Sequence, residues 1–151
     1  MYNLDNVAKD FPWTRVTYND IEPWREEGSN WFNTLPAGWG DVIYNGLVKL
    51  DHLLQEHNAK DRIVIEQVKE KWGSLRFYFM FLPREKEISD EEYAAELVWQ
   101  DECYRIVNEM ESETMRVCYN CGTRDNIQCY GGWVHFACPA CEKKRIEEFD
   151  L

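Results

Sequence analysis

Residues 63–82 read IVIEQVKEKWGSLRFYFMFL, and the pairing of this stretch with itself decides the fold. Ile63, Val64 and Ile65 begin a β-branched run through Val68, Gly73-Ser74 punctuates it, and Leu75 to Leu82 returns as a second run. β-Branched and aromatic residues suit a pleated, half-buried surface, and a glycine turn between two such runs marks a hairpin. Side chains alternate across a strand, so Leu75, Phe77, Phe79 and Phe81 share one face and Arg76, Tyr78, Met80 and Leu82 the other. Pro83 ends the strand.

The period changes on both sides of this hairpin. Upstream, Gly38-Trp39-Gly40-Asp41 opens a helical pattern running to about His57, with Ile43, Leu47, Leu50 and Leu54 on one face. Downstream, Ser89-Asp90-Glu91-Glu92 is a capping box that starts a long helix. Its apolar stripe is Trp99, Cys103, Ile106 and Met110, with Leu97 and Val107 beside it. The first thirty-odd residues scatter Pro12, Pro23, Trp13, Trp24 and Trp31 without a clean period, and they are expected to wrap the core through aromatic anchors. If Trp13, Trp24 and Trp31 are exposed instead, they form a candidate partner-binding cluster.

The C-terminal region has a different logic. Cys118 and Cys121 form one Cys-x-x-Cys pair and Cys138 and Cys141 a second. Two residues between cysteines let a tight turn aim both thiolates at one point, and two such knuckles complete a tetrahedral Zn²⁺ shell. Gly122 fits the turn after the first knuckle, Gly131-Gly132 marks a hairpin reversal, and Trp133, Val134 and Phe136 read as the returning strand. Four thiolates leave no open position for water or substrate, so the expected cofactor is one structural zinc. Competing chemistries fit less well. A redox dithiol needs one pair in a βαβ setting, and a zinc deaminase needs His-x-Glu where His135 is followed by Phe136 and Ala137. A His-Asn-His nuclease needs more histidines than His135, which reads as a partly exposed strand residue.

The expected fold class is therefore α+β: residues 1–115 form a helix, β-hairpin, helix core with an irregular aromatic N-terminal region, and residues 116–151 a four-cysteine zinc ribbon with a short C-terminal helix. A 44% hydrophobic share with seven tryptophans excludes a disordered chain. No apolar run approaches a membrane span, and MYNLDNVAKD lacks the regions of a secretory signal, so a cytosolic protein with no membrane partner is expected. In that compartment six cysteines point to metal, with Cys103 and Cys129 left over as buried thiols.

Charge narrows the partners. The net charge is −11, unlike that of a protein gripping nucleic acid by its phosphates. Residues 85–115 supply nearly all of the excess, with Lys86 and Arg105 against eleven acids. One reading is a solvated face; the sharper one is a nucleic-acid mimic in which Glu91, Glu92, Asp101, Glu102 and Glu109 face a basic groove in another protein. The opposite alternative, nucleic-acid binding, uses Lys69, Lys71 and Arg76 around the hairpin turn with Lys143, Lys144 and Arg145 after the last knuckle. No catalytic residues emerge. His52 and His57 lie five apart on a helix, off a common face, and phosphate-loop and dinucleotide glycine patterns are missing.

Gln67 to Tyr78 (QVKEKWGSLRFY), with Gly38-Trp39 upstream and the paired-cysteine ribbon with Gly132-Trp133 downstream, resembles a family of small bacteriophage and prophage proteins. In that family V-K-E-K-F-G-x-L-R-F-Y precedes C-x-x-C-G, a glycine-tryptophan pair and a final C-x-x-H or C-x-x-C. The resemblance covers about residues 38 to 141 and departs at Trp72, where phenylalanine is usual, and at Cys141, where histidine is frequent. It implies a phage origin and a role in the cytoplasm of an infected bacterium, and it names no reaction. The expectation is a non-enzymatic accessory protein that binds a host or rival protein, for instance a defence effector or part of the transcription machinery. A zinc-ribbon nucleic-acid-binding regulator is the second reading and a nuclease with a hidden site the third.

Overall fold

The computed structural model describes residues 1–15 and 31–149, so Trp24 lies outside the described residues. Its elements are α1 (Val7–Asp10), α2 (Gly40–Glu56), β1 (Ile63–Lys71), β2 (Ser74–Phe81), α3 (Asp90–Thr114), β3 (Gln128–Tyr130), β4 (His135–Ala137) and α4 (Pro139–Phe149). The architecture is α+β, with two separate two-stranded antiparallel sheets, β1-β2 and β3-β4.

The central hairpin forms where expected, with β1 three residues longer because pairing continues through Lys69↔Arg76 to Lys71↔Ser74. Only Trp72 and Gly73 remain in the turn, both at positive φ, +55° and +81°. Two residues in that conformation match the right-handed twist of the strands they join. The Gly73 N–H donates to Glu70 Oε1 at 2.8 Å. A register shift between Ile65 and Gln67 bends β1. Leu75, Phe77 and Phe79 are buried as the alternation requires. Phe77, Phe79, Phe81 and Trp99 follow one another edge to face at centroid spacings of 5.8, 5.7 and 5.0 Å.

Helix α3 starts on the capping box, Ser89 Oγ accepting from the Glu92 N–H and the Glu92 carboxylate from the Ser89 N–H. Its buried stripe carries Trp99, Cys103, Ile106, Val107 and Met110. Burial pushes the Cys103 thiol up to about 12, which makes it inert. Leu97 departs from expectation, being 43% exposed. The preceding residue takes the inward place: Glu96 is buried and accepts from Arg62 Nη1 at 2.5 Å and Arg84 Nε at 2.7 Å. The C-terminal end of α3 shields the β2 edge, since Thr114 Oγ1 accepts from the Leu75 N–H and Glu111 Oε2 from the Phe77 N–H. Helix α2 brings Ile43, Leu47, Leu50 and Leu54 to the same core, all fully buried. Gly46 lets it approach α3, because a Cβ there would sit 2.1 Å from Met110 Cε.

The N-terminal region is more regular than its sequence implies, with short helical turns at Leu4–Asn6, Pro12–Arg15 and Trp31–Thr34 around α1. Trp13 is 4% exposed and its indole N–H donates to Asp51 Oδ1, so it is a core anchor and presents no contact surface. Trp31 is half-buried against the same core.

The Glu96 cluster yields a first expected result. Glu96→Gln keeps the shape but leaves two arginines short of a buried partner, and it should lower unfolding free energy by about 3 kcal/mol at pH 7, the scale of breaking such a pair. The hydrogen bond from Arg62 holds the Glu96 carboxyl below its ordinary range; burial opposes this and Arg84 reinforces it. A depressed carboxyl stabilises above its unfolded value, about 4.3, and loses that contribution as pH falls below it. Urea unfolding of the native chain and of Glu96→Gln should therefore differ at pH 7 and converge under acid.

Candidate metal centre

Each sulfur of the centre is placed by a short local turn. After Cys118, the Gly122 N–H returns to the Cys118 carbonyl at 3.0 Å, and Gly122 takes φ +76°, the left-handed conformation open to glycine. The Cys118 N–H donates to Thr123 O at 2.8 Å and closes the first knuckle. The second knuckle lies at the start of α4, whose first turn includes the Glu142 N–H to Cys138 O bond at 3.1 Å. Strands β3 and β4 sit between them, registered Tyr130↔His135 and Gln128↔Ala137. Trp133 and Val134, expected in the returning strand, belong instead to the four-residue turn, and only Phe136 of the three is in β4.

The four sulfurs of Cys118, Cys121, Cys138 and Cys141 lie within 4.8 Å of one another. Cys121 and Cys138 are 3.8 Å apart. Four sulfurs about 2.3 Å from one ion define a tetrahedron whose edge is about 3.8 Å, so the spacing fits a thiolate-bound metal. The Asn120 amide and the Cys141 N–H point at Cys141 Sγ and Cys138 Sγ, both at 3.4 Å, and supply outer hydrogen bonds to the ligands. Burial opposes ionisation of Cys118, yet backbone N–H groups of Cys121, Cys138 and Asn120 outweigh it and bring the thiol down to about 7. Cys141 is pushed up to about 12: the Asn120 amide favours its thiolate, while burial and the three neighbouring sulfurs disfavour it. Four thiols so close cannot all ionise unaided, and a divalent cation removes that conflict.

Behind the sulfurs stands a feature that sequence reading missed. His135, expected to be partly exposed, is 2% exposed, with Nδ1 2.6 Å from the Trp133 carbonyl and Nε2 2.5 Å from Glu142 Oε2. Arg145 Nη2 also reaches Glu142, at 2.6 Å, and hydrogen bonds from Arg145 and His135 hold that carboxyl down at about 2 against the effect of burial. The ring stacks on Trp133 at 4.3 Å. His135 thus ties β4, the turn and α4 together and offers no nitrogen to the metal. The Glu-x-x-Arg spacing on α4 was the available signal. Cys129, expected to be buried, is exposed and outside the sulfur cluster.

The ribbon is joined to the core at two glycines. The Gly38 N–H donates to Tyr119 O at 2.7 Å, and a Cβ on Gly38 would lie 2.1 Å from Cys118 O. At the hairpin turn a Cβ on Gly73 would meet the Phe136 ring and Val134 O at 3.1 Å. Val117, one residue before the first ligand, is buried in the main core.

The other candidate residues divide. On α3, Glu102 and Glu109 both hold Arg105, and Glu92 is spent on the capping box. Glu91 and Asp101 are exposed. Lys69, Lys71 and Arg76 lie together on the outward side of the hairpin, while Arg145 is committed to Glu142 beside exposed Lys143 and Lys144. His57 caps α2 and stacks on Trp99 at 4.9 Å, a packing role. Among the described residues the four cysteines are the sole metal-ligating cluster, and no helix is long and apolar enough to cross a membrane. Compared with family models, curated proteins and solved structures, the chain matches none.

Proposed function

We propose that this chain is a non-enzymatic accessory protein of phage origin, held in shape by one zinc ion, that acts in the cytoplasm of an infected bacterium by binding a macromolecule of the host or of a rival. The closed sulfur set carries the reading: four cysteines converge on one point with the tetrahedral edge of a thiolate site. Soft thiolates in that geometry suit zinc or iron rather than calcium or magnesium, zinc being the ion assigned here, and a filled shell supports folding rather than catalysis. The phage setting rests on the QVKEKWGSLRFY and ribbon resemblance.

Two surfaces compete for the contact. The acidic helix makes a weaker decoy than its composition implies, because Arg105 sits between Glu102 and Glu109 and divides the row of charge. A second reading, nucleic-acid binding, gains from a specific observation: Lys69, Lys71 and Arg76 share the outward side of one hairpin and make no ion pair among the described residues, although Glu111 feels the Arg76 charge.

Affinity purification of the tagged full chain from bacterial lysate, with and without nuclease, tests the general reading. A partner retained by the native chain and lost by the metal-free chain is expected. Recovery of no macromolecule in either arm contradicts it.

A further inference from the structure

We infer that the β1-β2 turn and the outward face behind it form a contact surface for single-stranded nucleic acid, with Trp72 and Tyr78 stacking on bases and Lys69, Lys71 and Arg76 holding phosphates. This rests on the reading of the chain as a binding protein and names its partner. The register builds the surface. Val68↔Phe77 and Glu70↔Leu75 share the inner side, so the alternate pairs Gln67↔Tyr78, Lys69↔Arg76 and Lys71↔Ser74 share the outer one. Three cations and an exposed tyrosine thus line one side of a hairpin whose turn carries a tryptophan 68% exposed.

Trp72 is the unusual member. A bulky side chain at positive φ is an outlier, and asparagine is the residue this turn position favours. A large indole kept both strained and in water contributes nothing to the fold that asparagine would not contribute better. The turn is also braced: Gly73 abuts Val134 and Phe136 of the ribbon, and Glu70 holds the Gly73 N–H. Across that contact lies the turn bearing Trp133, 50% exposed, with the Arg145 guanidinium 5.9 Å from its ring centroid. Two exposed indoles therefore occupy neighbouring turns where the core meets the ribbon.

Charge selects the occupant. Of the nearby carboxylates, Glu142 is paired with Arg145 and His135, while Glu70 faces the inner side opposite Leu75 and Glu111 lies on α3, each keeping its charge and accepting one backbone N–H, from Gly73 and Phe77. The outer side itself carries Lys69, Lys71, Arg76 and Tyr78, a cationic and aromatic strip on a chain of net charge −11. A polyanion is held at the strip and repelled elsewhere, which favours a short footprint on a flexible single strand over a rigid duplex whose base faces are hidden. Bases and phosphates are common to DNA and RNA, so both bind.

The test is fluorescence anisotropy of labelled dT12, U12 and a 12-base-pair duplex with the full zinc-loaded chain. The single strands should bind at 50 mM salt, the duplex about tenfold more weakly. With about three phosphates neutralised, the log–log salt slope should be about −2, roughly a 20-fold loss between 50 and 200 mM. Trp72→Asn relieves the positive-φ strain, so its melting temperature should rise while affinity falls about 10- to 100-fold, the range of one lost stack. Trp72→Phe should retain most binding, and Lys69→Glu with Arg76→Glu should abolish it. Equal binding of duplex and single strand, or unchanged affinity in Trp72→Asn, overturns the inference. So does loss of a captured protein by Trp72→Asn when the native chain binds no oligonucleotide, and that outcome leaves the binding-protein reading standing.

Discussion

Cys118→Ser should leave the purified chain with less than about a tenth of an equivalent of metal, where the native chain should hold one, and should unfold the ribbon. Structural zinc contributes an apparent 10–16 kcal/mol or so in small zinc-dependent units, far more than the β3-β4 pairing of three residues each can replace. The damage should not stop at the ribbon. Tyr119, next to the lost ligand, accepts the Gly38 N–H, and buried Val117 belongs to the main core. Hydrogen exchange should therefore accelerate at Gly38 and along the first turn of α2 as well as at residues 118–141. Loss of metal with an undisturbed α2 would show that the ribbon is an independent appendage.

Gly38→Ala should be nearly as severe without touching a ligand. The added methyl would lie 2.1 Å from Cys118 O and 2.5 Å from the Tyr119 carbonyl carbon, and these are backbone atoms of the first knuckle that cannot rotate away. A clash of this kind forces the knuckle off the turn that leads into α2 or distorts the sulfur set, and it should cost about 3 kcal/mol or more. Gly131→Ala is the matched control, with nothing within 4 Å of the new Cβ and no left-handed φ, so its effect should stay within about 0.5 kcal/mol. Thermal unfolding of both variants with metal present measures the contrast. Equal stability of the two would mean that the knuckle does not bear on Gly38.

The hairpin, both long helices and the sulfur set were legible because each rests on a local rule: alternation in residues 75–81, a period of 3.6 with a capping box from Ser89, and a fixed ligand spacing. What escaped depends on tertiary neighbours. Glu96 looks like one more surface acid until Arg62 and Arg84 arrive from the hairpin side. His135 and Glu142 meet only after β4 and α4 fold over the metal centre. Leu97 exchanges its expected environment with Glu96 for the same reason, since apolar character states a preference and packing decides which residue is accommodated. Gly38 carried a visible signal, but the backbone approaching it comes from eighty residues away in the sequence.

The central claim is that the metal is enclosed by four thiolates and serves shape rather than reaction. X-ray absorption at the zinc edge of the purified chain tests it most directly. The account predicts one zinc per chain with four sulfur neighbours at about 2.3 Å and no lighter atom in the shell. An oxygen or nitrogen neighbour, or fewer than four sulfurs, would reveal an open coordination position and contradict it.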